Sequence, residues 1–255
     1  MVKVSLVLLT CGRKEAIVHS LGQNILNAGY DIFELIHVDN GSGGQFCHWF
    51  ETNYRPSIQV INETNIGVAK GYNQGMALAR GTHICITGCD RQMPNLWLKH
   101  MIEAMEKIPN TGVISLYTQD KPDEDKTQRY VGEPKIINGV KIQESLPCEA
   151  RLHSRELLMN VGYFREDFGL YGHEDCEWAD RVNRYTNKNN LINYILPDLG
   201  RAYQLPHGDD GEYKAMKKKQ NDDPRKAQLV RWCHQNDNPY YNPFAKIEED
   251  LLGKV

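Results

Sequence analysis

The sequence predicts an α/β protein with a doubly wound, mostly parallel sheet flanked by helices, a smaller antiparallel or irregular second half, and a helical C-terminal tail. Three observations lead there. Short apolar, β-branched runs alternate with helical stretches through residues 1–117, the signature of βαβ units. The alternation stops at a polar, charged stretch over 118–135. The chain has 255 residues, enough for one large α/β domain or two small ones.

The elements follow in order. VKVSLVLL (2–9) is a fully buried strand by length and β-branching. A helix over about 14–28 ends near Gly29. IFELIHV (32–38) is the second strand, DNGSGG (39–44) a turn, FCHWFETNY (46–54) a helix and SIQVI (57–61) the third strand. A helix from Val68 to Arg80 stops at Gly81, where a C-terminal glycine belongs. HICIT (83–87) is the fourth strand. Pro94 opens a helix to Lys107, at the end where proline is tolerated. TGVISLY (111–117) is the fifth strand.

In the second half, IINGVKI (136–142) is a hairpin around Asn138-Gly139, the strongest short hairpin signal. Ser154 caps a helix through Asn160, a further helix runs from Glu174 to Tyr185, and INYILP (192–197) is a late strand. Asp223-Pro224 is cap and first residue of the helix RKAQLVRWCHQ. Residues 1–212 are therefore assigned to one domain, divided into a nucleotide-binding half (1–117) and a substrate half (118–212). A basic, partly helical extension (213–255) follows.

Bulk composition excludes some classes. A net charge of −3 with 25% charged residues gives no bulk signal for nucleic acid or membrane binding. The seven cysteines are odd in number and form no CxxC, which suits reduced thiols in a cytoplasmic protein and argues against a zinc site. The apolar run Val4–Leu9 is too short for a signal peptide. No apolar run approaches the ~20 residues of a membrane span.

Each motif has a functional and a plain reading. In VDNGS (38–42), Asp39 ends a strand where α/β sheets bind ligands, or it bonds its own turn. NIGVAKGYNQGMALARG (65–81) sets Asn65, Gly67, Lys70 and Asn73 around a helix start that suits phosphate; its glycines equally suit close packing. Asp90 ends HICITGCD and could ligate a hard divalent cation, or merely form a turn before Pro94. In GHEDCEWADR (172–181), Glu174 and Asp175 do not share a helix face, so they can have different roles. Trp178 lies on Asp175's side, where it could pack against a sugar ring. Taken alone, the acids read as first-turn residues that favour the helix dipole. His207 is a lone histidine of a kind that suits manganese. Lys217, Lys218 and Lys219 with Arg225, Lys226 and Arg231 form a basic tail, either a solvated face or a surface for an anionic acceptor.

Taken in order, a strand then TCGR, a strand then VDNGS, NIGVAKGYNQGMALARG, a strand ending in Asp90 and finally GHEDCEWADR resemble a family 2-type glycosyltransferase with the GT-A fold, over roughly residues 3–207. The resemblance implies transfer from a nucleotide-diphosphate sugar, a UDP-sugar by preference, to a carbohydrate or other hydroxyl-bearing acceptor. It places Thr10, Arg13, Asp39, Asn65, Gly67, Lys70, Asn73 and Asp90 around the nucleotide donor, with Asp39 near the base. Asp90 matches the last aspartate of the metal-binding DxD motif, whose first acid is here Gly88. Together with His207 it would hold Mn2+ or Mg2+. Asp175 matches the catalytic base, Glu174 its support, and His173 and Trp178 fall on the acceptor side. The implied mechanism is inverting. A modified base of DNA as acceptor, or a degenerate carbohydrate-binding module, are the competing expectations.

Overall fold

The computed structural model describes residues 3–12, 22–29, 34–119, 130–147, 150–199, 201–204, 211–236 and 240–244. Residues 22–26 (α1) are helical; the rest of the expected first helix lies outside the described residues. The first half runs β1 (Val4–Thr10), β2 (Glu34–Asn40), α2 (Gly44–Tyr54), β3 (Ile58–Asn62), α3 (Val68–Leu78), β4 (His83–Gly88), β5 (Arg91–Gln92), α4 (Trp97–Lys107) and β6 (Thr111–Ser115). The second half runs β7 (Tyr117–Gln119), β8 (Tyr130–Ile137), β9 (Val140–Ser145), β10 (Arg151–Ser154), α5 (Arg155–Val161), α6 (Glu174–Lys188), β11 (Ile192–Ile195), β12 (Arg201–Gln204), α7 (Gly211–Asn221) and α8 (Pro224–Gln235).

Nine strands form one sheet in the order β3-β2-β1-β4-β10-β6-β11-β9-β8. Within it β10 and β9 run against the other seven strands, so the sheet is mostly parallel. Alternate residues of β1 feed opposite layers: Leu6 and Leu8 pack with Phe50 of α2 and Trp97 and Met101 of α4. Val7 and Leu9 pack with Met76 of α3, Leu158 of α5 and Trp178 of α6. Helices on both faces bury the strand throughout, which is why it reads as a continuous apolar run. Each fully buried Leu, Val or Phe contributes about 1.5–3 kcal/mol.

The second sheet, β5-β12-β7, corrects one boundary. The expected strand over 111–117 is two strands. β6 stays in the main sheet, and after buried Leu116 the chain enters β7 beside β12. The helix expected from Pro94 begins at Trp97, because Leu96 takes a left-handed conformation (φ 57) and its N–H bonds Asn27 O at 2.8 Å. The hairpin stands as expected: Asn138 (φ 48) and Gly139 (φ 77) supply the two positive φ values of its tight turn. Both caps form as well, with Leu157 N–H donating to Ser154 Oγ (3.0 Å) and Arg225 N–H to Asp223 Oδ1 (3.0 Å). No helix among the described residues is long and apolar enough to cross a membrane.

Candidate functional site

The carboxyl ends of β4 and β6 flank the start of antiparallel β10, and those of β1 and β2 follow in order beyond β4, along the edge where open α/β sheets bind ligands. Arg151 pairs with Ile86 on one side and Ser115 on the other.

At the β1–β2 end, Thr10 and Asp39 are register neighbours and both fully buried. Gln59 Nε2 donates to Cys47 O (3.0 Å), so the amide nitrogen also faces His37 Nδ1 at 3.0 Å. His37 Nδ1 therefore accepts, its proton sits on Nε2, and that N–H donates to Thr10 Oγ1 (2.9 Å). Thr10 in turn donates to Asp39 Oδ1 (2.7 Å), while Asp39 Oδ2 accepts Ser42 N–H (2.8 Å). Ser42 Oγ accepts Gly12 N–H (2.8 Å), so one buried carboxylate ties together the loops after both strands. Burial lowers His37 to about 4 and keeps it neutral. Burial and the nearby Asp39 charge push the Cys47 thiol up to about 11.

The segment from Asn65 to Gly75 divides between turn and scaffold. Asn65 Oδ1 accepts Gly67 N–H (2.9 Å), and Asn40 Nδ2 donates to Gly67 O (2.9 Å). Lys70 is exposed near the start of α3. Asn73 is fully buried: it donates to Phe164 O (2.8 Å) and Glu166 Oε1 (3.0 Å) and accepts Phe164 N–H (3.0 Å), binding α3 to the second half. A Cβ on Gly71 would lie 2.5 Å from Leu9 Cδ1, and one on Gly75 2.3 Å from Val7 Cγ1. Close packing of α3 on β1 accounts for both glycines.

The acid pair opens α6 after a loop, Gly169–His173, with positive φ at Gly169 (76), Gly172 (96) and His173 (73). The loop is docked on the first half: Val68 N–H donates to Leu170 O (3.0 Å), and a Cβ on Gly67 would meet Gly169 O at 2.7 Å. The far side of the loop rests on the C-terminal helices. His173 Nε2 donates to Asn221 O (3.1 Å), Lys217 Nζ lies 4.6 Å from the Tyr171 ring centroid, and Lys226 Nζ donates to Tyr171 O (2.5 Å).

On α6, Glu174, Glu177, Trp178, Arg181 and Val182 form the inward stripe. Trp178 is a correction to the expected acceptor-side role. It is fully buried four residues on from Glu174, its Nε1 donates to Gly162 O (3.1 Å), and its ring packs on Phe164 and His153. Its spacing placed it with the core rather than beside a sugar ring. The two acids separate as expected: Glu174 is 6% exposed, whereas Asp175 is half-buried and Cys176 N–H donates to its Oδ1 (2.8 Å). Burial, then the Asp175 charge, push Glu174 up to about 7, with Arg151 pulling the other way. Two neighbours of this pair escaped the sequence reading. Arg151 sat in a run with no motif. Lys226 was counted with the basic tail, although it lies two turns before Cys233 on a buried face of α8.

Asp90 follows β4, 14% exposed at its side chain, with Arg91 Nε 3.9 Å from its Oδ1. Among the described residues no three His, Cys, Asp or Glu converge to hold a metal; Arg13 and His207 lie outside those residues. A magnesium-like cation carried mainly by diphosphate oxygens and water needs only one or two protein carboxylates. Asp90 can supply one, so the donor set fits a diphosphate-borne cation and not a closed protein cage.

The family model described as glycosyl transferase family 2 matches residues 5–170. Among solved structures, the chain is similar to S. aureus TarS (residues 1–349) in complex with UDP-GlcNAc, at 18% identity and TM-score 0.60, covering 82% of this chain and 60% of that one. It is similar to the mannosyltransferase PcManGT from Pyrobaculum calidifontis in complex with GDP-Man and Mn2+, at 17% identity and TM-score 0.61, covering 85% and 61%. It is also similar to GalNAc-T7 with UDP, GalNAc and Mn2+, at 11% identity and TM-score 0.57, covering 82% and 44%. At these identities the likeness is one of fold, and the chain spans less than two thirds of each of these neighbours. No curated protein matches the sequence.

Proposed function

The chain belongs to glycosyl transferase family 2, and from that premise we propose that it moves a sugar from a nucleotide-diphosphate sugar to an acceptor hydroxyl with inversion, Asp175 serving as general base. The observation that carries this reading is the docking of the Gly169–His173 loop on Gly67 and Val68, which sets the acid pair beside the helix start expected to face the donor. Exposure supports Asp175 over its neighbour: Glu174 is buried, whereas Asp175 is half-buried and open to an acceptor.

Asp175 takes the acceptor's proton as the acceptor oxygen bonds the anomeric carbon. The bond from that carbon to the phosphate oxygen breaks, and the nucleoside diphosphate leaves. A divalent cation, Mn2+ or Mg2+, held by Asp90 and the diphosphate would neutralise charge on that leaving group. Asp39 is fully buried and accepts from Thr10 and Ser42, so its part is to hold the loops at Gly12 and Ser42 that frame the base, UDP being the expected nucleotide. Lys70 is exposed where a diphosphate at the start of α3 would lie. The free thiols of Cys47, Cys85 and Cys233 suit a reducing, cytoplasmic setting.

Thermal shift against a panel of nucleotides with manganese tests the reading. Stabilisation by a nucleoside diphosphate, with a manganese increment lost in Asp90→Ala, is expected. No response to any nucleotide would sink the proposal.

A further inference from the structure

We infer that Lys226 of α8 is a positioning residue for the transfer reaction, holding the Gly169–His173 loop and through it Glu174 and Asp175. The inference rests on the base assignment above and extends it to a residue some fifty positions downstream.

Lys226 is 7% exposed, an uncommon fate for a lysine unless its ammonium is satisfied. Its Nζ donates to Tyr171 O (2.5 Å) and to Gln220 Oε1 (2.8 Å). The ammonium thus spans three pieces: the loop before the acid pair, the last turn of α7, and its own helix. Tyr171 lies three residues before Glu174, and the loop between them carries two left-handed residues, Gly172 and His173. Such a loop has no ladder of its own and takes its shape from what it touches. On the first-half side it touches Gly67 and Val68. On the other it touches Lys226, Lys217 and Asn221, whose Oδ1 would lie 2.5 Å from a Cβ on Gly172. The fit there is tight, so a shift of α7 moves the loop, and Lys226 ties α8 to both through Gln220 and Tyr171.

The charges around the ammonium agree with this placement. Glu174 and Asp223 attract it and Arg225 opposes it, while Asp175 and Arg151 face Glu174 from α6 and β10. A cation at this point belongs to the acid pair's surroundings and not to a solvated basic face.

The test uses the full chain, with UDP-sugar turnover and hydrogen exchange as readouts. Lys226→Met is expected to lower kcat about tenfold or more, since small misplacements of reacting groups are costly, with KM for the donor nearly unchanged. Lys226→Arg, which keeps donors for Tyr171 O and Gln220 Oε1, should restore most of the rate. Peptides covering 169–175 should exchange faster in the Met variant while those at the end of α6 do not. An unchanged kcat, or a loss that arginine does not rescue, overturns the inference, as does unchanged exchange in a folded Met variant. A wild-type chain that turns over no donor condemns the parent reading instead, and the exchange measurement still decides whether Lys226 holds the loop.

Discussion

Gly67 and Gly169 meet backbone to backbone: a Cβ on Gly67 would stand 2.7 Å from Gly169 O, and Gly67 itself has φ 103. This contact joins the helix start of the first half to the loop that carries the acid pair. Gly67→Ala is therefore both conformationally strained and blocked by backbone. Gly139 of the β8–β9 hairpin also has a positive φ, 77, with nothing within 4 Å of its added Cβ, so Gly139→Ala reports strain alone. Strain of this kind costs about 1–3 kcal/mol. Denaturant unfolding should show both variants destabilised, Gly67→Ala more so. Only Gly67→Ala should also lose transfer rate. Equal effects on rate would mean that the contact does not set the loop.

Thr10→Val tests the buried relay at the β1–β2 end. Valine removes the hydroxyl that joins His37 Nε2–H to Asp39 Oδ1 and leaves a donor and a carboxylate oxygen buried without that partner. Each orphaned group costs on the order of 1–3 kcal/mol. Thr10→Ser keeps the hydroxyl and should lose far less. Urea midpoints order the variants, and nucleotide affinity should fall with Val because Asp39 no longer holds the Ser42 loop in place. A valine variant as stable as the serine one would remove the relay from consideration.

The fold was legible wherever its signals are local. β-branched runs and the Asn138-Gly139 turn each declare themselves within a few residues, whereas Gly81, expected to close α3, lies beyond an end already made at Leu78 by extended Ala79. A residue's placement was legible where it depends on a strand end, as with Thr10, Asp39 and Asp90. It was not legible where the role depends on a distant partner. Asn73 resembled a ligand-facing polar residue because nothing nearby in sequence foretells its bonds to Phe164 and Glu166, over ninety positions on. Trp178 stands three residues from Asp175 but four from Glu174, the buried acid, and the second spacing is the one that puts it in the core. Lys226 was hidden among lysines that do stay exposed, Lys218 and Lys219.

Asp175→Asn separates binding from chemistry. The amide keeps the side chain's size and can still accept Cys176 N–H, so the start of α6 should persist. It cannot take the acceptor's proton, and loss of a general base costs about 10²–10⁴ in rate. The expected result is near-wild-type nucleotide affinity by calorimetry and a kcat lower by that factor. Transfer at the wild-type rate would show that another group is the base.

Glu174→Gln tests the other acid through the pH dependence of stability. Burial and Asp175 raise Glu174 from 4.5 to about 7. The folded chain therefore holds a proton on Glu174 that the unfolded chain has released over that interval. This group's contribution is greatest below pH 4.5, falls as pH rises toward 7 and is level above. Buried His37 and His153 act in the opposite sense. Each is lowered from 6.5 to about 4, so the stability they contribute is present above 6.5 and lost as pH falls through that window. The wild type should thus lose stability toward acid, with Glu174 blunting the slope between pH 4.5 and 6.5. Glutamine has no proton to lose. Relative to wild type, Glu174→Gln should gain stability progressively from pH 4.5 to 7, by on the order of 1–3 kcal/mol at the upper end, and its slope toward acid should be steeper. Unfolding free energies measured every half unit from pH 4 to 8 give both curves. Parallel curves would mean that Glu174 titrates as an ordinary surface acid, and the division of labour between the buried glutamate and the reachable aspartate would lose its basis.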